Sequence, residues 1–142
     1  MTVVTRIPPS PTGHLHIGTA RTALFNYLYA KSQGGKIIFR SEDTDRARSK
    51  PEFEKEIIDG LEWLGLSWDS FSRQSEHTNR YSELLHQLVA SDKAYVSKEP
   101  AKDDPSREVE VVRLRNPGTE VIFDDAIRGP INTHTGDLGD FV

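Results

Sequence analysis

Apolar residues follow two different spacings along most of the chain, and each spacing predicts one type of secondary structure. Short apolar runs rich in β-branched residues predict buried strands, whereas apolar residues at every third or fourth position predict helices with one buried face. The two types alternate, which favours a parallel sheet with right-handed crossovers. In chain order, the predicted elements are strand Thr2–Ile7, helix His16–Ser32, strand Lys36–Arg40, a helix that starts at Pro51 and is closed by Gly65, strand Leu66–Trp68, helix Thr78–Ser91 and strand Ala94–Val96.

Glycine, serine and proline mark the ends of the predicted helices. Gly34 and Gly35 follow the first helix and end it, and Gly65 ends the second. Ser49 is predicted to cap the second helix, with Pro51 in its first position, where the missing N–H of proline is tolerated.

The pattern changes after Val96. The stretch Ser97–Glu108 contains two prolines and many charged residues, which is typical of a linker or of the start of an insertion. Two apolar runs then flank the turn signal Asn116-Pro117-Gly118, and they predict a hairpin over Val109–Asp125.

The predicted fold class is α/β with two domains. Residues 1–96 are expected to form a partial Rossmann-like parallel sheet, and residues 97–142 the start of a smaller, strand-rich α+β insertion. Three βα units make only half of a doubly wound sheet, so we expect the chain to be part of a longer protein.

Composition excludes several classes of protein. The 142 residues are 35% hydrophobic and 28% charged, and no apolar run approaches the roughly 18 residues of a membrane span, so a soluble, cytoplasmic protein is predicted. The chain has no cysteine, which excludes disulfides, thiolate zinc sites and a thiol nucleophile. The formal net charge of -4 gives no global attraction for nucleic acid, so contact with RNA would be local.

Two loops follow the carboxyl ends of the first two predicted strands, where ligands bind in open parallel sheets. The first, PPSPTGHLHIG over Pro8–Gly18, leads into a helix whose N-terminus suits a phosphate group. Gly13 allows a tight turn, Gly18 lets a base or ribose lie against the helix, and His16 can donate to phosphate oxygens. The alternatives are an ordinary capping histidine and half of a metal site formed with His14, which no further ligand completes.

The second loop carries three carboxylates, Glu42, Asp43 and Asp45. Glu42 directly follows the strand and can pair with a substrate ammonium group, while Arg6, at the end of the first strand, can bind a carboxylate. This combination predicts an amino-acid pocket beside the phosphate pocket. Asp43 and Asp45 have a simpler interpretation as turn caps or, for Asp45, as part of a surface ion network with neighbouring arginines.

Read together with their neighbours, these loops resemble a known family. The stretches RIPPSPTGHLHIGTARTALFNYLYA, RSEDTDRARS, GLEWLGLSWD and RQSEHTNRY are similar to the N-terminal catalytic region of bacterial-type glutamyl-tRNA synthetases, which are class I aminoacyl-tRNA synthetases. The tetrapeptide His16-Ile17-Gly18-Thr19 stands where the family carries its HIGH signature. A tetrapeptide alone is weak evidence, but its spacing to PSPTG and EDTDR makes the match specific.

The resemblance implies a two-step reaction. Glutamate attacks the α-phosphate of Mg-ATP to give glutamyl adenylate, and the 3′-terminal ribose of tRNA(Glu) then accepts the glutamyl group. Catalysis would depend on positioning and charge stabilisation. The implied cofactors are ATP and Mg²⁺, and no zinc is expected because the cysteines that many relatives place for it are absent. The full-length enzyme is expected to be a monomer without membrane contact.

The resemblance also implies an ATP site in the first loop. His16 and Thr19 would act in catalysis, although Thr19 stands where class I enzymes generally have histidine. The implied ATP-binding residues are Pro9, Ser10, Pro11, Thr12, Gly13, His16, Ile17, Gly18 and Thr19.

The same resemblance implies residues that bind glutamate and tRNA. Glutamate would bind Arg6, Ser10 and Glu42, with Glu42 taking the ammonium group. The insertion meets the tRNA acceptor end in the family, which implies a weak RNA contact for Arg113 and Arg115.

Other functions fit part of the sequence. A glutamyl-queuosine tRNA(Asp) synthetase shares the first half, whereas a glutaminyl enzyme would more often show PEPNG over residues 9–13. A small nucleotidyltransferase would not need the EDTDR loop, and a non-catalytic fragment would bind only nucleotide or RNA. The family's lysine-rich second signature and anticodon-binding region are absent, so the chain alone is not expected to complete aminoacylation.

Overall fold

A computed structural model describes residues 2–142 and divides the chain into two units. The first unit ends at Asn79 and the second begins at Arg80. The mixture of a parallel sheet with helices and further antiparallel strands confirms the predicted α/β class. No helix within residues 2–142 is both long and apolar enough to cross a membrane.

Three parallel strands form the sheet of the first unit, in the order β1-β2-β3. The register pairs Val4 with Lys36 and Ile38 with Ser70. The elements of this part of the chain are β1 Val4–Ile7, α1 Ile17–Ser32, β2 Lys36–Ser41, α2 Pro51–Trp63, β3 Ser70–Arg73, a 3₁₀ helix Gln74–His77 and α3 Thr78–Ala90, which runs across the division between the units.

The first unit has a hydrophobic core between the sheet and its helices. Phe39 on the central strand is fully buried, and its ring lies 4.7 Å from Trp68 and 5.3 Å from Phe71, measured between ring centroids. Helix α1 buries only alanines, whose short side chains let it lie close to the sheet, and this face comprises Ala20, Ala23 and Ala30. The remaining core residues are Ile7, Ile37, Ile57, Leu61 and Leu66.

Glycines end both helices, as the sequence predicts. Gly34 (φ +59°) follows α1 and Gly65 (φ +77°) follows α2, in the left-handed region that favours glycine. Gly35 is required for a different reason, because a Cβ atom there would lie 2.4 Å from the backbone oxygen of Val3. The chain can therefore turn tightly from α1 into β2.

Two predictions for the first unit are wrong. Lys50, not Ser49, is the N-cap of α2, because the N–H of Ser49 bonds to the oxygen of Asp45 and the extended cap comes one residue later. The third strand is not Leu66–Trp68 but the polar segment SFSR of β3. Leu66 and Trp68 pack on the core, and pairing with β2 starts only after them.

The second unit contains two antiparallel strand pairs. In the first, Ala94 lies opposite Leu114, and in the second, Glu120 lies opposite His134. An isolated bridge joins Leu114 to Phe141. The elements are β4 Ala94–Pro100, β5 Glu108–Leu114, β6 Glu120–Asp125, β7 Gly129–His134 and a 3₁₀ helix Thr135–Leu138.

The strand pairing differs from the sequence-based prediction. The interpretation of Ser97–Glu108 as a linker is wrong, since its first residues belong to β4 and its last begins β5. The alternative, the start of an insertion, stays a prediction. The predicted hairpin Val109–Asp125 is also wrong, because β5 pairs back with β4 and β6 pairs onward with β7. The side chain of Asn116 bonds to the oxygens of Thr135 and Gly139, so this turn connects two strand pairs rather than the strands of one hairpin.

The domain division predicted after Val96 stays a prediction. Strand β4 runs through that position, and the two structural units divide earlier, within α3.

Candidate active site

A pocket of about 410 Å³ lies where β1 ends and α1 begins. The loop Pro8–His16 connects these elements and forms much of its wall. The pocket is lined by Ile7, Pro8, Pro9, Ser10, Thr12, His16, Gly18, Thr19, Thr22 and Ala23. The structure thus brings together six of the residues assigned to substrates or catalysis, namely Pro9, Ser10, Thr12, His16, Gly18 and Thr19.

His16 is the N-cap of α1. Its backbone is extended (φ -127°, ψ 163°), and its Nδ1 atom accepts a hydrogen bond from the N–H of Gly18 at 3.2 Å. Because Nδ1 accepts, the neutral ring carries its proton on Nε2, which lies 3.1 Å from the hydroxyl oxygen of Thr19. The Nε2–H group thus donates to Thr19, and because both residues line the pocket, an incoming oxygen can take the place of that hydroxyl.

Gly18 provides the space that His16 occupies. A Cβ atom at Gly18 would lie 3.0 Å from both Cε1 and Nδ1 of the His16 ring, which is closer than ordinary packing. The sequence assigns Gly18 to contact with a base or ribose, and the structure adds this contact with the ring. Glycine at this position lets the histidine fold over the first turn.

Successive residues of the loop face two different pockets. Ser10 and Thr12 line the pocket beside α1, whereas Pro11 between them lines a second pocket of about 400 Å³. Backbone hydrogen bonds fix this arrangement, because the N–H of Glu42 donates to the oxygen of Pro9 and the N–H of Lys50 donates to that of Pro11. The loop is a thin wall with different residues on each side.

Glu42 and Arg6 come together at the ends of neighbouring strands. Arg6 Nη2 lies 4.0 Å from Glu42 Oε1, and Arg40 Nη2 donates to the same oxygen at 2.5 Å. The Glu42 carboxylate is therefore already partnered by one arginine, and a substrate ammonium group would share it. Arg6 is about half exposed and makes no closer ion pair in residues 2–142, so its guanidinium is available to a carboxylate.

The second pocket is built around two partnered carboxylates. Asp43 accepts hydrogen bonds from the N–H and hydroxyl of Ser75, at 2.9 and 2.6 Å. Glu54 is held by Arg73, whose Nη2 lies 2.7 Å from Oε1, and the Glu54 side chain is 13% exposed. The full lining is Pro11, Asp43, Arg46, Ser49, Lys50, Pro51, Glu54, Arg73 and Ser75.

These partners keep both carboxylates ionised. Burial raises the pKa of Glu54, but the hydrogen bonds and the positive charge of Arg73 outweigh it, so the pKa lies below its ordinary value of 4.5. Burial likewise raises the pKa of Asp43, and the Ser75 hydrogen bonds more than reverse the effect. Asp43 thus ties the acidic loop to the segment after β3 and limits where the adjacent Glu42 can lie.

Other candidate residues lie outside the pocket beside α1. Ile17 is 86% exposed, and a Cβ atom at Gly13 would meet no atom within 4 Å. Asp45 accepts hydrogen bonds from both the backbone N–H and the side chain of Arg48, as its surface-network interpretation predicts. No group of three or more His, Asp or Glu residues in the described part of the chain could hold a metal ion.

In the second unit, Arg113 and Arg115 are engaged with neighbouring groups. Arg113 binds both carboxylate oxygens of Glu99 and the backbone oxygen of Asp140. Arg115 binds Asp92 through its carboxylate at 2.9 Å and stacks on Tyr95, with 4.8 Å from the guanidinium carbon to the ring centroid. An RNA phosphate would have to compete with these carboxylates.

Sequence reasoning missed several residues that hold the two loops. Ser75 holds the acidic loop through Asp43, the Arg73–Glu54 pair joins β3 to α2, and Glu56 binds the segment just before His16. A helical pattern shows that Glu56 faces away from the core, but it carries no signal for the partner that this side chain finds across the fold.

The chain is similar in sequence to a defined enzyme family. The model for "tRNA synthetases class I (E and Q), catalytic domain" matches residues 2–103. The glutamate–tRNA ligase of Hydrogenobaculum sp. (strain Y04AAS1) is 39% identical over 173 residues, which cover 99% of this chain and 37% of that protein. The glutamate–tRNA ligase 2 of Rhodospirillum rubrum is 58% identical over 96 residues, or 67% of this chain and 20% of that protein.

A solved structure shares the fold. The crystal structure of a glutamate tRNA ligase from Elizabethkingia meningosepticum CCUG26117, in complex with its amino acid, aligns with a TM-score of 0.84 and 29% identity. The alignment covers 99% of this chain and 38% of that one. The chain therefore spans well under half of the length of the relatives it matches.

Proposed function

The chain belongs to the class I tRNA synthetases of the E and Q group, and we propose that it contributes the start of the active site of a glutamate–tRNA ligase. The observation that carries this proposal is one pocket lined by Ser10, His16 and Thr19, next to the Arg6–Glu42 pair. A phosphate-binding helix start beside an arginine and a carboxylate suits a nucleotide and an amino acid in one site.

In the first proposed step, the glutamate carboxylate attacks the α-phosphorus of ATP and pyrophosphate leaves. His16 donates from Nε2 to a phosphate oxygen in place of its bond to Thr19, and the N-terminus of α1 adds its partial positive charge. Gly18 keeps the ring in this orientation and leaves the first turn open to the nucleotide. The neighbouring loop residues of the implied ATP site complete the wall.

Glutamate is proposed to bind at the strand ends. Its ammonium group pairs with Glu42, which Arg40 and the backbone bond to Pro9 already hold in place. Its side-chain carboxylate binds Arg6, and Ser10 donates from the loop between the two substrates. Positioning of this kind brings the reacting carboxylate to the phosphorus without a covalent enzyme intermediate.

In the second step, a terminal ribose hydroxyl of tRNA(Glu) attacks the activated carbonyl and AMP leaves. We propose that ATP acts with Mg²⁺, that zinc has no role, and that the complete protein is a cytoplasmic monomer. The part after Val96 is proposed to meet the acceptor end, with Arg113 and Arg115 contributing only where RNA displaces their present partners.

Pyrophosphate exchange tests the proposal. It is measured with glutamate, glutamine and aspartate, with and without tRNA(Glu) or tRNA(Asp), on the 142-residue chain and on a form extended to the length of its relatives. We expect the extended form to exchange with glutamate only and to charge tRNA(Glu). Exchange with glutamine would instead indicate a glutaminyl enzyme. Transfer of glutamate to tRNA(Asp) would indicate a glutamyl-queuosine tRNA(Asp) synthetase, and binding without exchange would indicate a non-catalytic fragment.

Two variants separate the substrate roles. His16→Ala is expected to slow exchange and to lower the free energy of unfolding by only about 1 kcal/mol, because the exposed ring caps α1 but contributes little to the core. Glu42→Gln is expected to raise the KM for glutamate more than the KM for ATP. Equal effects on both substrates would give Glu42 a general structural role instead.

A further inference from the structure

We propose that Glu56 on α2 is a positioning residue for His16. This inference rests on the proposed role of His16 at the phosphates, and it adds a residue that neither the signature motifs nor the pocket linings contain. Glu56 Oε2 lies 2.6 Å from Nδ1 of His14, and Oε1 accepts from the backbone N–H of Leu15 at 3.3 Å. One carboxylate thus holds the two residues immediately before His16.

Glu56 is the middle one of three α2 residues that contact His14 and Leu15, and these three residues are called the seat. Phe53, Glu56 and Gly60 are three and four residues apart, so they lie on one face of the helix. The ring of Phe53 meets that of His14 edge to face, with centroids 5.0 Å apart. Gly60 receives the side chain of Leu15, because a Cβ atom at Gly60 would lie 2.4 Å from Leu15 Cδ2.

The seat contacts the part of the loop that has the fewest hydrogen bonds to the rest of the unit. The loop is bonded to the rest of the unit at Pro9 and Pro11, and then at His14 and Leu15. Among residues 2–142, Glu56 is the one hydrogen-bonding partner from outside the loop for the segment 12–15. Without it, the segment between Pro11 and His16 would be held only by packing of His14 on Phe53 and of Leu15 on Gly60.

Displacement of Leu15 would change the backbone conformation of His16, the next residue. The peptide between these residues sets the extended backbone of His16, and that backbone aims the ring at the N–H of Gly18 and at Thr19. The His14 and Glu56 side chains are 77% and 46% exposed, so their pair contributes little to overall stability. The expected consequence of losing it is a less well-defined ring orientation in a protein that remains folded.

The first test is spectroscopic and uses the 142-residue chain. The amide signal of Gly18 reports the hydrogen bond to His16, and it is compared among wild type, Glu56→Leu, Glu56→Gln and a control, Asp59→Asn. Asp59 makes an exposed pair with Lys55 on the same helix and touches neither loop. We expect a clear shift of the Gly18 amide and of the His16 ring signals in Glu56→Leu only.

The conservative variant distinguishes positioning from general damage. Glutamine can still accept from Leu15 and donate to His14, so Glu56→Gln should restore most of the wild-type spectrum. All variants should melt within about 3 °C of wild type. An unchanged Gly18 amide in Glu56→Leu would overturn the proposal, as would equal changes in the Asp59→Asn control.

The second test is kinetic and uses the extended form. Glu56→Leu is expected to lower kcat for pyrophosphate exchange by about three- to tenfold with little change in the KM for glutamate, and Glu56→Gln by less. Wild-type kcat in Glu56→Leu would overturn the positioning role. If the wild-type protein shows no exchange at all, the proposed function fails, while the Gly18 signal still decides whether Glu56 positions His16.

Discussion

The two units of the chain are stabilised in different ways. Nine hydrophobic residues of the first unit are buried, whereas Ala94 and Ala101 are the two buried ones in the second, among residues 2–142. The second unit instead depends on two strand ladders and on polar contacts such as Arg113 with Glu99 and Tyr95 with Asp140. The pocket beside α1, which is proposed to bind the substrates, lies in the unit that has the core.

Because only the first unit has a sizeable core, removing a phenylalanine ring should lower the free energy of unfolding far more in the first unit than in the second. Phe39→Ala should lower the free energy of unfolding by about 3–5 kcal/mol, because it leaves a cavity between Trp68 and Phe71. The control is Phe123→Ala, since Phe123 is half exposed in the second unit and should cost about 1 kcal/mol or less. Both losses are measured by urea unfolding, with amide hydrogen exchange reporting on each unit. Similar losses in the two variants would contradict the difference in core between the units.

An arginine–glutamate pair should contribute more to stability where its carboxylate is more buried. Glu54→Gln leaves Arg73 without its bidentate carboxylate and should cost about 1–3 kcal/mol. Glu99→Gln removes the matching pair with Arg113 and should cost less, because the Glu99 side chain is 27% exposed and that of Glu54 is 13% exposed. Denaturant titrations of the two variants at pH 7 give the ranking. A larger loss for Glu99→Gln would show that the second unit depends on its charges more than its exposure suggests.

Acid should weaken both pairs in the same direction. The pKa of Glu54 and that of Glu99 lie below the ordinary value of 4.5, Glu54 because hydrogen bonds from Arg73 outweigh burial, and Glu99 chiefly through its hydrogen bond from Arg113. A lowered native pKa gives stability that is complete above pH 4.5 and is lost as the pH falls below it. We expect the wild-type melting temperature to fall below pH 4.5 and the Glu54→Gln protein to fall less steeply.

The smallest expected effect concerns two similar histidine–glycine pairs, one in each unit. A Cβ atom at Gly18 would lie 3.0 Å from the ring of His16, and one at Gly136 would lie 2.8 Å from that of His134. His16 makes a capping hydrogen bond and His134 does not. Gly18→Ala should therefore shift the ring signals of its histidine and remove the cap, while Gly136→Ala only turns the ring. Histidine NMR spectra of the two variants test this, and equal changes in the ring signals of His16 and His134 would contradict it.

Hydrophobic spacing predicted the first unit well because that unit has a core. The strands around Ile7 and Phe39 and the helix face containing Ile57 were placed correctly, since burial imposes the pattern that a reader of the sequence detects. The strand SFSR was missed because it lies at the sheet edge and is largely polar. In the second unit, β6 and β7 are largely exposed on both faces, so their sequences hold little information on which strand pairs with which.

The candidate site was predictable only where the order of the strands determines which segments meet. The loop before α1 and the carboxylate after β2 were found from position alone, because parallel strands end on one edge. The partners of Asp43 and of Leu15 come from segments 32 and 41 residues away, namely Ser75 and Glu56. Such contacts depend on the exact placement of one helix against a loop, which hydrophobic patterning does not determine.

The alternation of Ser10, Pro11 and Thr12 between two pockets makes loop length as important as loop composition. Adding or deleting one residue between Pro9 and Gly13 would exchange the faces of those that follow, as a shift of register does in a β-strand. The exposed connection 102–107 between β4 and β5 has no such constraint, because its side chains face solvent. Insertions and deletions should therefore be tolerated in that connection and excluded from the loop that separates the pockets.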